Sequence, residues 1–147
     1  MFTRIVVGTD GSETAAEAVR QAVDLAKLAG AQLSIVSAYA PVSQRRVEGE
    51  QQDAPTDVQH EIGPREDVNL ILDAAAAEAK QAGLEVQTHP VEADPADAIL
   101  DVAEKTSADL IVVGNKGMTG ARRFLLGSVP NKVSHHAPCS VIIVRTT

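Results

Sequence analysis

The chain has almost no aromatic residues: they make up 2% of its 147 residues, and Trp is missing altogether. Its 44% of hydrophobic residues is therefore carried mainly by Ala, Val, Ile and Leu, a set suited to helices packed on a buried sheet. Cysteine is nearly missing too. With Cys139 as the only one, no internal disulfide can form, which points to a reducing compartment. There is no basic excess: 13 Lys and Arg stand against 20 Asp and Glu, for a net charge of −7. That argues against a nucleic-acid partner, because binding a phosphate backbone needs a basic face. No apolar run approaches the roughly 20 residues of a membrane span. The opening MFTRIVVG also lacks the apolar core and cleavage site of a secretory leader. The expectation is a cytoplasmic protein without a membrane partner, folded as one domain over residues 1–147.

What is present is an alternation of β-branched runs and alanine-rich helical patterns. Ile5 to Gly8 reads as a first strand, broken by Gly11 and Ser12. From Thr14 to Ala29 the apolar residues Ala15, Val19, Ala22 and Ala26 recur at helical spacing. Ser12 or Thr14 can cap this helix, Thr14 with Glu17 spells a capping box, and Gly30 ends it. Leu33 to Tyr39 is a second strand, followed by a polar, proline-bearing connection over residues 40–64 that reads as a surface loop or a lid. Further along come a helix over Arg65 to Ala82, a strand over Leu84 to Val91, and a helix opened by Asp94-Pro95-Ala96-Asp97. A strand over Asp109 to Gly114, a helix over Ser128 to His136 and a strand over Ser140 to Arg145 complete the series. Strands alternating with helices predict an α/β fold, a parallel sheet with helices on both faces.

Ligands of such sheets bind beyond the carboxyl ends of the strands, where the strand order reverses. With order 3-2-1-4-5, two segments meet there. One is Gly8-Thr9-Asp10-Gly11; the other is GNKGMTGARRFLLGS, residues 114–128. Gly114 and Gly117 let backbone approach a ligand, with angles that other residues resist. Gly127-Ser128 falls where a helix begins, and a helix start presents free N–H groups to an anion such as phosphate. Asp10 has the chemistry to accept hydrogen bonds from ribose hydroxyls or to hold a divalent cation bridging phosphates. Ala38, small and at the end of strand two, leaves room for a flat base and offers it main-chain groups. Each residue has a plainer role when taken singly: glycines as turns, Ser128 as a cap, Asp10 in an Asx turn, Arg122 and Arg123 as a solvated face. His135 and His136 suit a helix C-terminus, and Cys139 suits a small buried site. Only the joint arrangement points to binding.

Gly114-x2-Gly117-x9-Gly127-Ser128, together with the opening IVVGTDGSETAAEAV and the ending LLGSVPNKVSHHAPCSVIIVR, resembles the universal stress protein family along the whole chain. The resemblance implies a five-stranded Rossmann-like sheet of the adenine nucleotide alpha hydrolase type. It also implies a bound ATP, usually with Mg2+ or Mn2+, with cyclic AMP (cAMP) as the alternative ligand. By position, Thr9 and Asp10 would meet ribose or adenine, and the backbone of Ala38 would meet adenine. Gly114, Asn115 and Gly117 would form the ribose and first phosphate loop, and Gly127, Ser128 and Val129 the triphosphate turn. A homodimer is implied too, and the apolar VIIV of strand five, at a sheet edge, would favour association.

Turnover has less support than binding. There is no Walker A, Gly127-Ser128-Val129-Pro130 is not a Gly-x-Ser-x-Gly elbow, and the first loop, TDGSET, carries no His. The sequence reads as a regulatory adenine-nucleotide-binding protein, with slow ATP hydrolysis as the alternative. A receiver domain does not match: only Asp10 follows strand one where an acidic pair is needed.

Overall fold

The computed structural model describes residues 1–40, 65–115 and 127–146. Its strands are β1 (Arg4–Gly8), β2 (Gln32–Tyr39), β3 (Val86–Glu92), β4 (Leu110–Gly114) and β5 (Ser140–Val144). Its helices are α1 (Glu13–Ala29), α2 (Arg65–Gln81), α3 (Pro95–Lys105) and α4 (Ser128–His136). The strands form one five-stranded sheet of order β3-β2-β1-β4-β5, with every pair parallel.

The period of two along each strand divides the core into two layers. Ile5 and Val7 of β1, Leu33 and Ile35 of β2, and Leu110 and Val112 of β4 pack on one face against Val19 and Val23 of α1 and Leu72 of α2. Val6, Val36, Ile111 and Val113 point to the other face, against Ile99 and Val102 of α3 and Val133 of α4. Each fully buried Val, Ile or Leu contributes about 1.5–3 kcal/mol. These two apolar layers therefore fix the register, since a one-residue slip of a strand would exchange its faces.

Local chemistry adjusted several boundaries. Ser12, not Thr14, caps α1: its Oγ accepts the Ala15 amide at 3.1 Å. The Thr14–Glu17 capping box does not form, because α1 begins at Glu13 and Thr14 already lies inside it; Glu17 instead accepts from Arg20 and Gln21. Asp94 caps α3 as its sequence indicates, accepting the Asp97 amide at 3.1 Å, with Pro95 at the helix start. β3 begins at Val86 rather than Leu84, since the left-handed Gly83 ends α2 and the next residues complete the turn. At the far side of the sheet, Asp109 accepts the amides of Thr3 and Arg4 at 2.8 and 3.0 Å, tying the start of β4 to β1.

Candidate functional site

β1 lies between β2 and β4, and the chain leaves it to opposite sides, so a crevice opens above its carboxyl end. The floor of this crevice is Gly8, Val36 and Val113. Thr9, Asp10 and Ser12 edge it on one side, Ala38 and Gly114 close the ends of β2 and β4, and Pro95, Ile99, Val129 and Pro130 form the wall from α3 and α4. Among the described residues it encloses about 130 Å3 and is lined mainly by apolar groups, the character of a slot for a flat base. A larger groove of about 590 Å3 runs along the amino ends of β1 to β3, past Arg4, Lys80 and Lys105. There the helices present their carbonyl ends, and Lys80 and Lys105, in the last turns of α2 and α3, complement those dipoles. Of these two, the crevice at the carboxyl ends is the one that meets the amide end of a helix.

Sequence-predicted residues converge on this crevice. Thr9, Asp10, Ala38, Gly114 and Val129 all line it. Asp10 adopts the Asx turn: its Oδ1 accepts the Ser12 amide at 2.9 Å, which leaves Oδ2 without a protein partner among the described residues. Thr9 Oγ1 accepts the Gly11 amide at 3.1 Å, and the Thr9 amide donates to Val36 O at 2.9 Å. That last bond sets the orientation of β2. Val36 turns its main-chain groups toward β1, so Ala38, two residues on, turns its N–H and C=O the same way, past the point where β1 has ended. Ala38 thus offers one donor and one acceptor to the crevice.

The helix start is more selective than the sequence suggests. Gly127, not Ser128, is the N-cap of α4, and it makes no side-chain cap bond. Its amide donates to Asn115 O at 3.0 Å, while Asn131 donates to Gly127 O at 3.2 Å. Pro130 carries no N–H. Among the described residues, the amides left to receive an anion are those of Ser128 and Val129, with the Ser128 hydroxyl beside them. Lys132, one turn along α4, lies 2.8 Å from Asp97 and 3.5 Å from Asp94. This clasp joins the two helices of the wall. Hydrogen bonding with Asp97 first, and then contact with Lys132, holds the Asp94 carboxyl below its usual range, and Asp97 in turn raises the Lys132 ammonium.

Three sequence-predicted residues behave differently. Asn115 directs its side chain away from the crevice: Oδ1 accepts the amide and the hydroxyl of Thr146 at 2.9 and 3.0 Å, and its own amide donates to Val144 O at 2.8 Å. Gly114 ends β4 paired with Val144 in ordinary strand geometry; among the described residues only Gly11, Gly30 and Gly83 are left-handed glycines. Gly117, with Arg122 and Arg123, lies outside the described residues. Two residues that sequence reading passed over also shape the site. Ile99 packs over Gly8 so closely that a Cβ there would stand 2.5 Å from Ile99 Cδ1. Ile71, on α2, packs behind Gly11. Both contacts bring distant segments together, and no local pattern announces them. Among the described residues there is no group of three or more His, Cys, Asp or Glu able to hold a metal, and no helix is long and apolar enough to cross a membrane.

A doubly wound parallel sheet with an amide-bearing crevice at its switch point defines a class of α/β proteins that hold a small ligand at the carboxyl ends of their strands. Within that class, the model of the universal stress protein family matches residues 1–145, and the chain belongs to that family. A universal stress protein of Mycobacterium tuberculosis is 37% identical over 147 residues, covering 99% of this chain and 98% of its own length. Universal stress protein YxiE of Bacillus subtilis is 35% identical over 150 residues, with 99% and 100% covered. Among solved structures, a universal stress protein in complex with cAMP superposes with a TM-score of 0.73 at 33% identity, covering 99% of this chain and 98% of that one. The universal stress protein of Archaeoglobus fulgidus in complex with dAMP gives 0.65 at 26% identity, with 97% and 98% covered.

Proposed function

We propose that this protein binds ATP in the crevice above β1 and acts as a cytoplasmic regulatory protein that signals by occupancy. The observation that carries this reading is the convergence of Asp10, Ala38, Gly114 and Val129 on one mainly apolar slot beside the uncapped start of α4. Adenine enters between Ile99 and Ala38, whose main-chain N–H and C=O match the edge of the base. Asp10 Oδ2 accepts from ribose hydroxyls. The phosphates reach the amides of Ser128 and Val129, with Gly117 belonging to the same cradle by its place in the motif. A nucleotide-bound Mg2+ or Mn2+ takes most of its ligands from phosphates and water; among the described residues, Asp10 is the one carboxylate lining the slot that could add to them. In this site the ion would neutralise phosphate charge.

Support comes from relatives of the same fold that hold cAMP and dAMP. The cAMP complex, at 33% identity, gives cAMP a place as the second reading. Slow hydrolysis is the alternative to pure occupancy. Calorimetric titration with ATP, ADP and cAMP, with and without magnesium, separates the ligands, and phosphate release followed over hours separates sensor from enzyme. Gly117→Val and Ser128→Ala are expected to weaken ATP binding while the fold persists; Ser128→Ala removes one hydrogen bond to a charged group, about tenfold or more in affinity. Normal binding by both variants would place the phosphate site elsewhere. We also infer a homodimer through residues 140–145. β5 is a sheet edge whose Val141, Ile142 and Ile143 are half-buried within the chain, and native mass spectrometry of wild type against Ile142→Lys reads the dimer directly.

A further inference from the structure

We propose that Ile71, on α2, is a positioning residue for nucleotide recognition: it backs the turn that aims Asp10 into the crevice. The inference rests on the reading of that crevice as the nucleotide site. The turn of residues 9–12 separates two hollows. The crevice lies in front of it; behind it, a groove of about 370 Å3 runs between α1 and α2, and Thr9 and Ser12 line both. Within the turn, Thr9 Oγ1 holds the Gly11 amide and Asp10 Oδ1 holds the Ser12 amide. The direction of the Asp10 carboxylate is thus tied to the backbone path through Gly11, a left-handed residue with φ +83°.

From behind, that path is met by Ile71. A Cβ on Gly11 would lie 2.9 Å from Ile71 Cγ1, 3.0 Å from Cδ1 and 3.5 Å from Cγ2, so the isoleucine fills the space against the turn. Its neighbours in the groove offer little to replace it: Ala16, Ala74 and Ala75 are small, Val19 is already packed in the core, and Leu70 is 67% exposed. α2 itself is anchored on the core through Val68, Leu72, Ala76 and Ala79, a different stripe of the helix. Trimming Ile71 therefore enlarges the hollow behind the turn without removing the anchors of α2. The local hydrogen bonds of the turn, open to water, then hold Asp10 unaided.

The test is a double-mutant cycle read on two ligands. Affinities for ATP and 2′,3′-dideoxy-ATP are measured for wild type, Ile71→Ala, Ile71→Val, Asp10→Asn and the Ile71→Ala/Asp10→Asn double variant, with thermal melts confirming that each is folded. Wild type is expected to prefer ATP by about tenfold or more, the worth of a hydrogen bond to a carboxylate. Ile71→Ala is expected to lose most of that preference while binding dideoxy-ATP within about twofold of wild type, and Ile71→Val, which keeps most of the side chain, to retain it. In the Asp10→Asn background, Ile71→Ala should change nothing further. The inference is overturned if Ile71→Ala keeps the preference, weakens both ligands equally, or adds its full effect to that of Asp10→Asn. A wild type that binds neither ligand overturns the nucleotide site itself. Binding without preference leaves the nucleotide site standing but removes the role of Asp10 and that of Ile71 with it.

Discussion

Gly8→Ala is the smallest change that tests how the floor of the crevice is built. The added methyl would stand 2.5 Å from Ile99 Cδ1 and 2.9 Å from Cγ1, inside any real carbon contact. Ile99 is 4% exposed and packed in the second core layer, so its end cannot simply swing into water. Overpacking of this kind costs about 1–3 kcal/mol. At the size of this chain, each kcal/mol lowers the melting temperature by about 2–4 °C, so a loss of roughly 4–8 °C is expected for a cost of about 2 kcal/mol. Ile99→Val removes Cδ1, the nearest clashing atom. Alone it costs about 0.5–1.5 kcal/mol, but combined with Gly8→Ala it should relieve the shorter of the two contacts, leaving the double variant more stable than the two single losses predict. Urea denaturation of the four proteins gives the coupling. Melting of Gly8→Ala within a degree of wild type, or strict additivity in the cycle, would mean that Ile99 yields freely and does not hold the floor of the crevice.

Four further perturbations follow. Asp94→Ala removes the cap of α3 and should cost about 1 kcal/mol in chemical denaturation. Lys132→Ala should change stability little, because its side chain and those of Asp94 and Asp97 are about half exposed in the ion pairs they form. His89 buries an Nε2 that has no hydrogen-bond partner among the described residues, and burial lowers its pKa from the ordinary 6.5. The unfolded chain therefore binds the proton first as pH falls. Stability should be full above pH 6.5 and decline as pH drops below it toward the folded pKa, and His89→Leu should flatten that slope; equal slopes in the two proteins between pH 7 and 5 would contradict it. Asn115→Ala frees the Thr146 amide and hydroxyl. Hydrogen exchange at Thr146 should accelerate while ATP affinity changes less than about twofold, since the bond from Gly127 runs to the Asn115 main chain.

The parallel sheet and its two helical layers were legible because β-branched runs and alanine-rich helical patterns alternate, and because helix punctuation such as Asp94-Pro95 and Gly30 is local chemistry; the strand order was implied by the family resemblance. The crevice was legible for the same reason: Asp10, Ala38 and Gly114 each sit at the end of a readable strand, and topology alone brings strand ends together. Side-chain direction was not legible. Nothing near Asn115 says that its amide oxygen will turn to Thr146, because that contact depends on how far β5 runs. Choosing between Ser12 and Thr14 as the cap was beyond the pattern, since both hydroxyls stand near the helix start and only the path out of Gly11 decides. The contacts of Ile71 with Gly11 and Ile99 with Gly8 join segments far apart in the chain, so they emerge only from packing.

A nucleotide held above β1 must meet Asp10, Ala38 and the start of α4 together. Amide chemical-shift mapping during titration with Mg-ATP measures this residue by residue. The predicted result is that the largest shifts fall on residues 8–12, 38–39, 114–115 and 127–129, saturating together with one affinity. Shifts centred on the groove at the amino ends of β1 to β3, or none at millimolar ATP, would contradict it.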